Sequence, residues 1–271
     1  MAINDITLAG GMRSNLINLQ MVSALQARTT QRLSTGKKVN SAIDDPSAYF
    51  AAQNETSRAS DLSTRKASMG EAIQTVKAGL QGIDGITNLI QQAQGLAASA
   101  RSATTTDRAS LATQFDSLRT QIDQLAGDSG YKGTNFLATG SSLVVNFNAS
   151  NTSTLTISGF DSSTTGLGIT AAAGNWATDA NIETDVTHLN SALSTLRTKA
   201  QTLSSSNGVV TSRQDFTTNM INTLTTGADQ LTSADPNEES ANMLALQTRQ
   251  QLGIVALQLS SQAQQSIMRL F

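Results

Sequence analysis

Apolar positions recur along this chain at alternating steps of three and four, the period of a helix that buries one stripe. Met69, Ile73, Val76, Leu80 and Ile83 follow it, as do Leu111, Phe115, Leu118, Ile122 and Leu125. Ile182, Val186, Leu189, Leu193, Leu196, Ala200 and Leu203 hold the same rhythm, and Ile221, Leu224, Ala228 and Leu231 resume it. The last two stretches read as one helix from about Ala180 to Leu231, roughly 75 Å long at 1.5 Å per residue. A lone helix of that length cannot bury its stripe. Helices over 46–100 and 106–127 are therefore expected beside it, packed in coiled-coil fashion. Thr104 and Asp107 suit the cap between those two.

The pattern changes between residues 129 and 178, which are rich in Gly, Ser, Thr and Asn. Leu143, Val145 and Phe147 alternate, as do Leu155 and Ile157, around a polar turn. That predicts a β-hairpin near 140–160. Gly159 to Gly174 reads as a loop with a further short strand. The region is too small for a second domain and is expected to cap the helices.

The two prolines, Pro46 and Pro236, each follow an aspartate. A residue before proline is pushed out of the helical region, and proline itself suits the first helical turn. They mark boundaries at similar distances from the two termini, so the chain is expected to fold back on itself. Outside them lie 1–45 and 236–271. Leu8, Met12, Leu16, Leu19, Val22 and Leu25 form one apolar face there. Leu252, Ala256, Leu259, Ala263, Ile267 and Leu270 form another, ending in Phe271. Between 240 and 271 the only charges are Arg249 and Arg269. Two such helices bury little when paired only with each other, and isolated helices are marginal in water. They are expected to be mobile in the free chain and to become ordered against other copies, since burial is worth about 25 cal/mol per Å².

Composition narrows the function. Only 14% of residues are charged and the net charge is −2, so no strong field draws in nucleic acid or an anionic membrane. Aromatics make up 4%, which suits long Ala- and Leu-rich helices better than a compact globule. There is no cysteine, hence no disulfide, thiolate metal site or thiol nucleophile. The N-terminus lacks a basic start followed by an apolar core, so no cleaved signal peptide is expected.

Isolated chemical candidates are weak. His188 is the single histidine, with Asp185 as the nearest acid in sequence; a metal would need distant ligands. Gly79, Gly82 and Gly85 have the wrong spacing for a phosphate loop and suit close helix approach or local flexibility instead. Asp44 and Asp45 precede Pro46 and suit helix capping better than acid–base work. Arg28, Arg32, Lys37 and Lys38 lack interleaved aromatics and suit solvated positions or charge contacts between subunits. Asn54, Asn148 and Asn151 match the N-glycosylation triplet by chance, whereas exposed Ser and Thr over 150–165 are candidates for O-linked sugars.

Residues 33–48, LSTGKKVNSAIDDPSA, resemble the N-terminal signature of bacterial flagellins. The run from Ala234 to Phe271 resembles their C-terminus, and YKGTNFL at 131–137 their motif before the first hairpin. The likeness covers about 1–140 and 178–271, with three motifs in the family's order. It implies D0-like terminal helices over 1–45 and 236–271, a D1-like helical rod over 46–235, and no large outer domain. Asn40, Asp44, Asp45, Pro46, Asp235 and Pro236 then belong to the D0–D1 joint. It also implies export through the flagellar type III apparatus without a cleaved signal, an export chaperone on the C-terminal segment, and contacts with hook-associated and cap proteins. Helix 86–100 aligns with the stretch read by a Toll-like innate receptor. There Gln92 stands for the family's Arg, Gly95 and Gln114 for two Glu, and Leu96 is retained, which implies weak receptor binding.

The expected fold is mainly α: a long antiparallel helical bundle with coiled-coil-like terminal helices and a small β-hairpin cap. The expected function is a structural, non-enzymatic, cofactor-free subunit of the extracellular flagellar filament. The alternative is a hook–filament junction protein, which shares both terminal motifs. A cytoplasmic helical signalling module and an enzyme are further rivals.

Overall fold

A computed structural model describes residues 10–268. Helices α1 (Gly10–Thr35), α2 (Pro46–Arg101) and α3 (Thr105–Asp128) are followed by strands β1 (Ser142–Asn146) and β2 (Thr154–Ser158). A short 3-10 turn at Ala173–Trp176 leads into α4 (Asp179–Thr232) and α5 (Pro236–Met268). The fold is mainly α with one small antiparallel sheet, as the periodicity predicts. The described chain divides into two compact units. One holds the residues up to Ser57 with those from Thr223 onward, and the other is Arg58–Asn222.

The unit Arg58–Asn222 is built around the predicted stripes. Met69, Val76, Ile83, Ile86 and Ile90 of α2 are buried with Phe115 and Ile122 of α3 and Leu189, Leu196 and Leu203 of α4. Ile73, Leu80, Leu111, Leu118, Leu125, Val186 and Ala200 are half-buried against them. Thr104 caps α3, its hydroxyl accepting from the Asp107 N–H at 3.4 Å. The hairpin pairs Leu143 with Ile157 and Val145 with Leu155. Val145 and Ile157 face inward, while Val144 is exposed, the alternation of a sheet with one covered face.

Among the described residues, 159–172 forms no strand, contrary to the expectation. Isolated backbone bonds remain there, Phe160 and Ser162 N–H donating to the Phe136 and Leu137 carbonyls at 2.9 and 3.1 Å, and a carboxylate adds to them. Asp123 of α3 accepts from the Thr164 N–H at 2.7 Å and from its hydroxyl at 3.0 Å. Trp176 follows and is fully buried, its ring centroid 5.1 Å from that of Phe115. Its indole N–H donates to Asp185 Oδ2 at 2.7 Å, and Asp185 also accepts from the Ala173 N–H at 3.1 Å.

Helix α4 is rich in residues of poor helix propensity; it is held by the burial of Ile182, Leu189, Leu196 and Leu203, and its hydroxyls bond along the helix itself. Thr184, Thr187, Ser191, Thr195, Thr198 and Thr202 each donate to the carbonyl four residues back, at 2.9–3.1 Å. The side chains thereby satisfy themselves on the helix, at a small cost to its backbone bonds.

The glycine triplet of α2 marks close approach. A Cβ on Gly82 would lie 2.3 Å from Ser129 Oγ and 2.4 Å from Leu137 Cδ1, and on Gly85 2.7 Å from Leu125 Cδ2. Leu137 is 1% exposed and has nowhere to move. Gly82→Ala is therefore expected to lose about 1–2 kcal/mol, overpacking outweighing the gain in helix propensity. Gly95, on the same helix, has nothing within 4 Å of a Cβ. Gly95→Ala is expected to gain about 0.5–1 kcal/mol. Thermal melts of the two variants should shift in opposite directions.

Candidate functional site on the terminal helices

Helix α5 begins on the second Asp-Pro pair. Pro236 takes the first helical position, Asp235 Oδ1 accepts from the Asn237 N–H at 2.8 Å, and the Asp235 carbonyl accepts from the Glu239 N–H at 3.0 Å. Glu238 and Glu239 lie in the first turn, where the helix dipole favours negative charge. Helix α2 starts the same way, Asp45 Oδ1 accepting from the Ala48 N–H at 3.0 Å. Helix α1 ends on Gly36, which adopts φ +67, the left-handed conformation that closes a helix C-terminus.

The two connections are stitched together by backbone. Lys38 and Val39 N–H donate to the Thr232 carbonyl at 2.7 and 3.2 Å, and Ala234 N–H donates to the Gly36 carbonyl at 2.9 Å. Thr232 is buried and Leu231 is 42% exposed. The α4 stripe thus ends on a threonine, and the expected Leu231 turns outward. Asp44 Oδ2 gathers three donors: Asn40 N–H at 3.1 Å, Ser41 N–H at 3.0 Å and Ser41 hydroxyl at 3.1 Å. These bonds, led by the Ser41 hydroxyl, hold its carboxyl below the usual range. The folded-state pKa is the depressed one, so this turn gains its support above the unfolded pKa and loses it as pH falls through the folded one. Amide exchange at Asn40 and Ser41 is expected to stay slow at neutral pH and to quicken only in that acidic window. Asp44→Ala should remove the protection at every pH.

Helices α1 and α5 pack antiparallel. Arg32 Nη1 donates to Glu239 Oε1 at 2.9 Å near one end. Further along, Gly253 meets Leu19, whose Cδ2 and Cγ lie 3.1 Å from a Cβ placed there. The covered residues of α1 include Met12, Asn15, Leu19, Val22, Gln26, Thr29 and Leu33, at steps of three and four. Those of α5 are Glu239, Met243, Leu246, Gln250, Gly253, Leu257 and Ser260, in the same rhythm. This is a heptad seam, and sequence reading missed its α5 half because Gln250, Gly253 and Ser260 interrupt the apolar signal.

The expected faces are therefore placed as follows. Met12 is buried and Leu19, Val22 and Leu25 are half-buried, whereas Leu16 is 41% exposed. Leu252 and Leu259 are 65% and 68% exposed on the side of α5 away from the seam. Ile17, Met21, Leu244, Ile254 and Val255 are exposed as well, and none of these was singled out by the sequence pattern. Leu8, Leu270 and Phe271 lie outside the described residues, as does the side chain of Ile267. Exposed apolar side chains grouped on a helix pair are of the kind that interaction surfaces carry.

The receptor-patch equivalents lie on the other unit. Gln92, Gly95 and Gln114 are exposed, and Leu96 is half-buried against the core. His188 Nδ1 lies 3.1 Å from the Thr170 hydroxyl and 3.9 Å from Asp185. Both neighbours meet the same ring nitrogen, so the three cannot relay a proton from hydroxyl to carboxylate as a nucleophilic triad does. Among the described residues no His, Asp and Glu cluster has the makings of a metal site, and no helix is long and apolar enough to cross a membrane.

Residues 3–142 match the family described as the bacterial flagellin N-terminal helical region, and residues 180–271 the bacterial flagellin C-terminal helical region. The chain is 32% identical to flagellin FljM of Caulobacter vibrioides over 274 aligned positions, with all of both chains covered. It is 28% identical to a flagellin of Brucella melitensis, covering 96% of this chain and 99% of that one. A crystal structure of Bacillus cereus flagellin aligns with a TM-score of 0.49 at 23% identity, over 55% of this chain and 88% of that one.

Proposed function

The chain belongs to the bacterial flagellin family, a structural subunit that polymerises into the extracellular filament of swimming motility, and we propose that its polymerisation runs through the outer faces of α1 and α5. The observation that carries this reading is the exposure of Leu244, Leu252 and Leu259, at 69%, 65% and 68%, on a helix pair with few charges. Each such side chain returns about 1.5–3 kcal/mol when fully covered. Copies in a helical polymer meet through unlike, non-closing surfaces, which a seam facing inward and an apolar face turned outward allow.

The terminal pair, 1–45 with 236–271, then serves as a D0-like inner element and 46–235 as a D1-like outer element. The Asp-Pro pairs and the stitched connections at Asn40, Asp44, Asp45 and Asp235 are the D0–D1 joint of this reading, and all of them lie within the compact unit that holds the residues up to Ser57 and from Thr223 onward. The subunit passes through the type III export apparatus unprocessed, with a chaperone on its C-terminal segment, and meets hook-associated and cap proteins at the filament ends. A structural subunit of this family calls for no catalytic centre.

Seeded polymerisation of the purified chain, viewed by electron microscopy, tests the assembly reading. Long filaments are expected; a chain that only decorates preformed ends would overturn it. Innate detection is expected to be weak, because Gln92, Gly95 and Gln114 offer neither the guanidinium fork nor the carboxylates of a polar contact. Restoring Arg at 92 and Glu at 95 and 114 should raise a receptor-reporter response to monomer. A full-strength response from the unaltered chain would sink this part.

A further inference from the structure

Two-electron oxidation has few places to fall on this chain. There is no cysteine, and the one tryptophan, Trp176, is fully buried. The thioethers are then the groups open to it. Seven methionines are present. Met12 and Met69 are buried, Met220 and Met243 are half-buried, and Met21 is 58% exposed. Met1 and the side chain of Met268 lie outside the described residues.

The position of Met21 gives its oxidation a consequence. It stands on α1 one turn from Ile17, itself 52% exposed, and one turn from half-buried Leu25. It lines a cavity of about 360 Å³ with Asn18, Leu19, Val22 and, from α5, Gly253. In the free subunit the side chain is open to a small oxidant dissolved in water. In a filament built through the outer face of α1 it is covered. As a thioether it joins an apolar contact as a flexible, adaptable side chain. As a sulfoxide it carries an acceptor oxygen that an apolar contact leaves without a donor.

We propose that Met21 is an oxidative modification site that gates assembly: its sulfoxide keeps a free subunit from adding to a filament, and incorporation shields the thioether thereafter. Hydrogen peroxide is the oxidant. The sulfur gives up two electrons, the peroxide O–O bond breaks, one oxygen joins the sulfur, and the other leaves as water with both protons. The inference rests on the filament reading and adds a chemical control to it, since oxidised subunits are left out of the growing polymer.

The full-length chain tests it. Purified subunits are partly oxidised with hydrogen peroxide, the peroxide is removed, and filaments are grown from seeds. Peptide mass spectrometry then compares the filaments with the leftover subunits. Sulfoxide at Met21 should be depleted about tenfold or more in the filaments, as for the loss of one apolar burial. Peroxide added to finished filaments should oxidise Met21 far more slowly than it does in free subunits. Met21→Leu keeps an apolar side chain and removes the sulfur, so peroxide should raise its critical concentration less than the parent's. If Met21 sulfoxide is equally frequent in filaments and leftover subunits, or peroxide raises the critical concentration of parent and variant alike, the gate is wrong and the filament reading stands. If Met21 oxidises as fast in filaments as in free subunits, this part of α1 is not covered and the gate is likewise wrong. If the unaltered, unoxidised chain forms no filaments, the filament reading itself fails.

Discussion

Deleting residues 252–271 is expected to abolish filament growth while leaving the rest of the subunit folded. The deletion removes Leu252, Val255 and Leu259, three of the most exposed large apolar side chains. It spares Glu239, Met243 and Leu246, which hold the first half of α5 to α1 through the seam and the Arg32 pair. It also spares the unit Arg58–Asn222, whose core has no member beyond Val210. A sharper version keeps the helix: Leu252→Asp with Leu259→Asp. Both positions face away from the seam, so the melting curve of the free subunit should barely move. Losing two leucine burials and placing two carboxylates in a contact costs roughly 4 kcal/mol or more, about a thousandfold in critical concentration. Filaments of normal length from either variant would show that assembly does not pass through this face.

Trp176→Ala is expected to be the most damaging single change within the unit Arg58–Asn222. The side chain is fully buried against Phe115 and supplies the shortest hydrogen bond to Asp185. Truncating a buried tryptophan costs about 3–5 kcal/mol in packing alone. Asp185, 1% exposed, would also lose its best donor, at about 1–3 kcal/mol. Against a total stability of about 5–15 kcal/mol, this should lower the melting temperature by roughly 10 °C or more. Trp176→Phe separates the two causes, because it keeps most of the ring and removes only the N–H. A phenylalanine variant as stable as the parent would show that the hydrogen bond to Asp185 carries no net weight.

The parts legible in the sequence were those governed by local rules. The Asp-Pro pairs announced α2 and α5 because proline constrains its neighbours whatever the tertiary context. The stripes of α2, α3 and α4 announced the core because burial and helical period coincide there. Leu231 escaped the pattern, since the chain leaves the helix beside it and the next position, Thr232, takes the backbone stitches. What stayed hidden was what distance along the chain conceals. Arg32 and Glu239 are 207 positions apart, and nothing in either segment alone says that one neutralises the other. The inward seam of α5 was masked by Gln250, Gly253 and Ser260, so the eye followed Leu252 and Leu259, which face outward. The pin formed by Trp176 and Asp185 follows a loop without period, and only a lone tryptophan in an aromatic-poor chain hinted at it.

The hydroxyl bonds along α4 have a consequence for how such a subunit meets its neighbours. A threonine whose proton is committed to its own backbone has spent its one donor, though its oxygen still accepts, and it presents a methyl group beside that oxygen. Thr184, Thr187, Thr195, Thr198 and Thr202 are all exposed and all bonded in this way. The flank of the helix therefore offers water fewer donors than its composition suggests. Contacts made through these uncharged threonines should depend little on salt.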